Sequence, residues 1–252
     1  MNYKIIQDEN KLKQFIDWLP ELKINQTFYC CLFARSKYFT EFKIKSGQSQ
    51  LRRFTADKNY LFDKIKQLEC ELGSYKLEGR PVPQEILVLT INPNPRDLWK
   101  ATEEFSMKLT KVIIKHKNRH FNPHSEMMSE IQTSCISPKP FVHFDFDGVD
   151  VLEVMANIQI NDIVNLNAVK ILKTKGGFHM LIKVNEVEEK YTKTWYKKVC
   201  NLPGLDSKAS KDDSLMPVPG CIQGGYTPYL IDATDKEIID ISGSVTETKL
   251  IS

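Results

Sequence analysis

Residues 141–150 read FVHFDFDGVD, and their alternation constrains the fold more than any other stretch of the chain. Successive side chains of a strand point to opposite sides, so Val142, Phe144 and Phe146 share one face while His143, Asp145 and Asp147 share the other. The phenylalanines call for a core. The aspartates call for water, a proton or a cation, because same-face neighbours two residues apart lie only about 6.5–7 Å apart at Cα and paired carboxylates repel. Two readings follow. Either both aspartates enter solvent at a strand end, where one caps a helix beginning beside Gly148, or they share a divalent ion. Hard carboxylate oxygens without a cysteine cage suit Mg²⁺ or Mn²⁺.

The rest of the chain limits what such a strand can belong to. With 252 residues, 41% hydrophobic and 27% charged, it can build one large or two small packed domains. A formal charge of +3 is too small to argue for nucleic acid or a membrane by itself, so any basic surface must be local. The amino-terminal MNYKIIQDENK lacks the apolar stretch of a signal peptide, and no run approaches the length that spans a bilayer, so a soluble, cytoplasmic protein without a membrane partner is expected. Six cysteines without CxxC spacing read as reduced structural thiols.

The pattern predicts a mixed α/β chain. DENKLKQFIDWL predicts a helix, FYCCLFAR a strand, and KNYLFDKIKQLECELG a helix with Leu61, Ile65, Leu68 and Leu72 on one face and Gly73 as its stop. QEILVLTIN reads as a buried strand, followed by a long helix capped by Asp97, with Leu98, Ala101, Phe105, Leu109, Val112 and Ile113 facing inward. Residues 118–140 are poorer in pattern and end in SPKP, which places a boundary near Pro138 between an N-terminal module (1–138) and a second module (139–252). The second is expected to run strand (141–147), helix (150–160), strand pair (169–184), helix (188–199) and a short strand at Tyr229–Asp232.

Two further motifs accompany the aspartates. In KILKTKGGFHMLIKV, His179 emerges on a strand directly after a Lys-Thr-Lys-Gly-Gly turn. Glycines let backbone N–H groups approach an anion, and Lys173, Thr174 and Lys175 offer charge and a hydroxyl to phosphate oxygens. An ordinary hairpin with a half-buried histidine is the plainer alternative; beside paired aspartates the phosphate reading is the better one. In GLDSKASKDDSLMPVPGCIQGG, Asp206, framed by apolar Leu205, can complete a metal site, whereas Asp212 and Asp213 read as a charged surface loop.

Taken in order, Asp145-Phe146-Asp147, then Thr174-Lys175-Gly176-Gly177-Phe178-His179, then Leu205-Asp206 with Pro219-Gly220-Cys221-Ile222-Gln223, the second half of the chain resembles the archaeo-eukaryotic primase superfamily. The resemblance implies an α+β core of two modules, the second with an RNA-recognition-motif-like sheet. It implies a DNA primase or primase-polymerase that performs template-directed nucleotidyl transfer on single-stranded DNA with nucleoside triphosphates. Asp145, Asp147 and Asp206 would then hold two Mg²⁺ or Mn²⁺ ions as catalytic carboxylates, with His179, Lys175, Thr174, Gly177 and Gln223 on the nucleotide. Relatives often carry Arg or Lys shortly before the Pro-Gly segment, and here Lys208 or Lys211 would take that place. A phage or plasmid replication setting and a separate replicative helicase come with the resemblance alone.

In the first half, Arg52, Arg53, Lys111 and Lys115 are the candidates for the template, alongside Lys108, Arg119 and Phe121; a solvated basic helix face is the alternative. His116, His120 and His124 carry no assigned role. Two rival functions remain. Asp145-Phe146-Asp147-Gly148-Val149 also resembles the nucleophile signature of haloacid-dehalogenase-type phosphohydrolases, with Asp145 attacking phosphorus and Asp147 as acid and base. The other rival is a non-catalytic nucleic-acid-binding module.

Overall fold

The computed structural model describes residues 1–114, 121–206 and 214–234. They divide into two units, Met1–Lys139 with Leu215–Gly225, and Pro140–Ser214 with the described chain from Tyr226. The architecture is mixed α+β, with six α-helices and antiparallel sheets among the described residues. No helix among them is long and apolar enough to cross a membrane.

In the first unit, α1 (Glu9–Trp18) starts at Asp8, whose carboxylate accepts from the Lys11 amide at 3.0 Å, and buries Leu12, Phe15 and Ile16. Strand β1 (Gln26–Arg35) is buried from Thr27 to Ala34 and forms the centre of the sheet. It pairs antiparallel with β2 (Gln48–Ala56), whose polar, half-exposed sequence carries little strand signal. Helix α2 covers only Leu61–Lys66; the predicted continuation to Gly73 is not helical, and Leu72 is exposed. A short hairpin, β3 (Lys76–Leu77) and β4 (Arg80–Pro81), precedes β5 (Leu87–Ile91), the other neighbour of β1. Strand β6 (Arg96–Asp97) pairs with the start of β1 and leads into α3 (Leu98–Ile114).

The inward stripe expected of α3 is only partly realised. Ala101 is buried and Phe105, Leu109 and Val112 are half-buried, but Ile113 is exposed. Helix α4 (Pro123–Thr133) arises where the sequence pattern was poor: Pro123 sits in the first turn, where it needs no amide partner, and Asn122 caps the Ser125 amide at 3.0 Å. Tyr29, Cys31 and Phe33 of β1 pack with Ala101, Met128 and Ile131 from these two helices. Burial pushes the Cys31 thiol up to about 12.

The second unit opens with β7 (Phe141–Asp147) and α5 (Val151–Ile160), capped by Asp150 on the Leu152 amide at 2.7 Å. Strands β8 (Val169–Lys173) and β9 (Gly177–Lys183) form a hairpin, closed by the Thr174 amide donating to the Gly177 carbonyl at 3.1 Å. The expected helix at 188–199 shortens to α6 (Trp195–Val199). Strand β10 (Met216–Pro217) pairs with β5, and Leu215–Gly225 belongs to the first unit rather than to the module in which the sequence reading put it. Strand β11 (Tyr229–Asp232) completes a sheet of order β11-β8-β9-β7. Both β7 and β8 run antiparallel to β9 and are therefore parallel to each other, with α5 as the crossover. Phe144, Phe146, Phe178, Met180 and Ile182 face α5 and α6, where Val154, Met155, Ile158, Trp195 and Val199 close the core.

Candidate active site

The site lies on the sheet face opposite that core. In the β7–β9 register Asp145 stands across from His179 and Asp147 across from Gly177. On the other edge of β7 a short antiparallel bridge joins Phe146 to Leu205. Its hydrogen bonds run from the Asp206 amide to the Asp145 carbonyl at 2.9 Å and from the Asp147 amide to the Gly204 carbonyl at 3.0 Å. This register puts Asp206 opposite Asp145, and opposed residues project from the same face. Asp145 is therefore flanked by Asp206 on one side and His179 on the other, with Asp147 two positions along on the same face.

Exposure falls along this face from the hairpin end inwards. Asp147 is exposed, Asp145 and Asp206 are half-buried, and His179 and His143 are buried. Asp147 does not cap the following helix, since Asp150 does so. Asp145 Oδ1 lies 3.4 Å from His179 Nδ1. His143 was legible as sharing this face, but its work was not: His143 Nε2 is 2.7 Å from His179 Nδ1, and His143 Nδ1 is 2.7 Å from Ser214 Oγ. Burial lowers the His143 pKa to about 4, so the ring is neutral near pH 7 and donates at one nitrogen while accepting at the other. No sequence signal marked Ser214.

Gly177 has a steric reason. A Cβ there would stand 2.3 Å from the Phe146 carbonyl oxygen and 3.1 Å from Asp147 Oδ1, so only glycine lets β9 lie this close to the acidic end of β7. Thr174 is half-buried and Lys175 exposed at the hairpin tip, while the Lys173 ammonium lies 5.8 Å from the Phe178 ring centroid.

The remaining candidates belong to the first unit or lie outside the described residues. Gln223 is buried in the first unit and donates its Nε2 to Tyr38 Oη at 3.3 Å. Pro219-Gly220 packs there too, with the Gly220 carbonyl accepting from the Gln7 and Asp8 amides before α1. Arg53 commits its guanidinium to α4, donating to Ser125 Oγ at 2.9 Å, Ser125 O at 3.4 Å and Ser129 Oγ at 3.3 Å. Arg52, next along the strand and so on its other face, is exposed, as is Lys111. Lys108 pairs with Glu130 and Glu126. His124 is exposed in the first turn of α4. Lys115, His116, His120, Arg119, Lys208, Lys211, Asp212 and Asp213 lie outside the described residues.

Among the described residues no three His, Cys, Asp or Glu side chains are gathered as a ready-made metal cage. The donor set on β7 and at Asp206 nevertheless suits a hard divalent ion by its chemistry: carboxylate oxygens at adjacent positions of one face, open to solvent at Asp147, where water and substrate can supply the remaining ligands. No family model, curated protein or solved structure matches the chain.

Proposed function

We propose that the chain is a nucleotidyltransferase of the primase-polymerase type, extending a strand on a single-stranded DNA template. The observation that carries this reading is the placement of Asp206 and His179 on either side of Asp145, from three separate segments, on one face of one sheet. The chain order also supports it. From β7 the second unit runs strand, helix, strand, strand, helix and then the bridging segment at Leu205, in spatial order β8-β9-β7-Leu205, an arrangement of the split β-α-β kind that an RNA-recognition-motif-like sheet uses.

Asp145, Asp147 and Asp206 would hold Mg²⁺ or Mn²⁺, which lowers the pKa of an attacking 3′-hydroxyl and stabilises a pyrophosphate leaving group. The remaining work falls to the chain's own groups. His179 presents an imidazole beside Asp145, and the hairpin tip offers the Lys175 ammonium and the Thr174 hydroxyl to phosphate oxygens. The Thr174 amide is occupied by the turn, so the hydroxyl is what that residue contributes. Catalysis of this kind consists of positioning and charge neutralisation. A dehalogenase-type reaction on Asp145 and Asp147 leaves Asp206 and His179 without a task.

The test combines the full chain with single-stranded DNA, Mn²⁺ and labelled nucleoside triphosphates, in parallel with p-nitrophenyl phosphate. Template-dependent products that vanish in Asp145→Ala and in Asp206→Ala are expected. Phosphate release without a template, insensitive to Asp206→Ala, would overturn the reading in favour of a phosphohydrolase; strand binding without extension would leave a non-catalytic module.

A further inference from the structure

A cavity of about 930 Å³ in the first unit is not accounted for by any of the motifs above. Two connections form it. One is the link Ser36–Gly47 between β1 and β2, closed at its neck where the Ser36 amide and hydroxyl both donate to the Gly47 carbonyl, at 2.9 and 3.0 Å. The other is the β3–β4 hairpin, whose Glu78 and Gly79 have φ of 52° and 78°, the paired left-handed geometry of a tight two-residue turn.

Five cationic side chains line the cavity, Arg35, Lys37, Lys43, Lys45 and Arg80, against one carboxylate, Glu78. That local excess of four positive charges is larger than the formal +3 of the entire chain, so the remaining residues together carry a formal charge of −1. Three of the cations have partners that hold them, Lys37 with its ammonium 5.2 Å from the Tyr38 ring centroid among them. The Arg80 guanidinium lies 4.6 Å from the Phe42 ring centroid and donates to the Lys43 carbonyl at 3.3 Å, while Arg35 Nε donates to Gln48 Oε1 at 3.0 Å. Among the described residues the carboxylate paired with any of the five is Glu78, 3.8 Å from Arg80. Like charges gathered in a concavity repel and focus the field on whatever anion enters.

We propose that this cavity binds the phosphate backbone of a single-stranded nucleic acid. Pockets for small molecules are lined mostly by apolar and aromatic side chains, whereas Ile44 is the one large apolar residue among the described residues lining this one. With five cations against one carboxylate on its walls, recognition rests on charge and is indifferent to sequence. The depression is open to solvent, as a strand that enters and leaves it requires. The inference shares its class of partner with the proposed function and none of its chemistry.

Fluorescence anisotropy of a labelled oligothymidylate on the full chain tests it, at salt between about 50 and 200 mM. The double variant Lys43→Gln/Lys45→Gln is expected to bind about tenfold more weakly at low salt, with the log–log salt slope flattened by about 1.4, since each phosphate contact on a single strand contributes about 0.7. A control pair exposed in the second unit, Lys193→Gln/Lys197→Gln, should change neither. Unchanged affinity and slope in the cavity variant would overturn the proposal. So would displacement of the strand by ATP or inorganic tripolyphosphate at equal phosphate concentration, which would make the cavity a nucleotide site, or loss of phosphatidylserine-vesicle binding with strand binding intact. Strand affinity is read without Mn²⁺ or nucleotide, so the failure of this inference and the failure of nucleotidyl transfer are read in separate assays.

Discussion

Replacing His143 with leucine removes the side chain that connects Ser214 to His179. The imidazole is 2% exposed and sits 2.7 Å from each partner. Because burial keeps it neutral near pH 7, its single ring proton decides the direction of the whole chain of contacts. When the Ser214 hydroxyl donates to His143 Nδ1, His143 Nε2–H donates to His179 Nδ1, and the proton of a neutral His179 is then on Nε2, where a phosphate oxygen can accept it. Leucine is close in bulk but has no donor. Two hydrogen bonds at about 0.5–1.5 kcal/mol each put the loss of stability at about 1–3 kcal/mol. On the proposed role of His179 at the nucleotide, losing the orientation of one donor to a charged phosphate is expected to weaken triphosphate binding by about 1.4 kcal/mol, or tenfold. The assay is equilibrium binding of a non-hydrolysable triphosphate in Mn²⁺, with Mn²⁺ affinity and kcat measured alongside. Triphosphate Kd should rise about tenfold, Mn²⁺ affinity should hold, and kcat should fall less than KM rises. His143→Gln, whose terminal amide reaches the place of the imidazole Nε2, should recover most of the loss. A folded leucine variant with undiminished triphosphate affinity, or one in which Mn²⁺ and triphosphate affinity fall together, would refute the orienting role.

Two further outcomes follow from the packing. Gly177→Ala places a methyl group 2.3 Å from the Phe146 carbonyl oxygen, so the end of the β7–β9 ladder must open; a loss of about 1–3 kcal/mol in urea denaturation is expected, with hydrogen-exchange protection lost first near Phe146 and Asp147. An unchanged midpoint would contradict it. Arg53→Met, which cuts three hydrogen bonds to α4, should destabilise by about 1–3 kcal/mol while altering strand affinity less than the cavity variant does, and Arg53→Lys should restore little because an ammonium lacks the planar fork. A large loss of strand affinity with stability intact would return Arg53 to the template.

Much of the second unit was legible because its signals are local. Period-two alternation marks β7 and β9, the Lys-Thr-Lys-Gly-Gly stretch marks the turn between β8 and β9, and the strand at Tyr229–Asp232 stands as expected. The errors come where one residue type serves two purposes. Pro123 reads as an interruption yet begins α4, since a proline lacks only the amide that a first helical turn cannot use. Strand β2 escaped notice because QSQLRRFTA has no clean apolar face, and its place beside β1 is set by pairing rather than by its own pattern. Nothing local to the Pro-Gly segment says which sheet edge a two-residue strand will join, and β10 joins β5. The contact between Asp206 and Asp145 had only a faint cue, an apolar Leu205 that stands opposite Phe146.

The strand tolerates two aspartates because its two faces divide the labour. Phe144 and Phe146 are fully buried on one side, each contributing about 1.5–3 kcal/mol, and Phe146 stacks on Phe178 at 5.0 Å and 6°. That face sets the register, since a slip of one residue would drive Asp145 into the core and Phe146 out of it. With register held from below, the opposite face can carry charge, and its burial is graded: the exposed Asp147 stands at the hairpin end, the half-buried Asp145 has His179 across from it, and the buried member of the series, His143, is uncharged. Stability and site geometry are then coupled in one direction. Exchanging Asp145 or Asp147 for a neutral residue leaves the phenylalanine face to hold the fold, whereas truncating Phe146 or Phe178 loosens the packing beneath the backbone pairings that keep Asp206, Asp145 and His179 side by side.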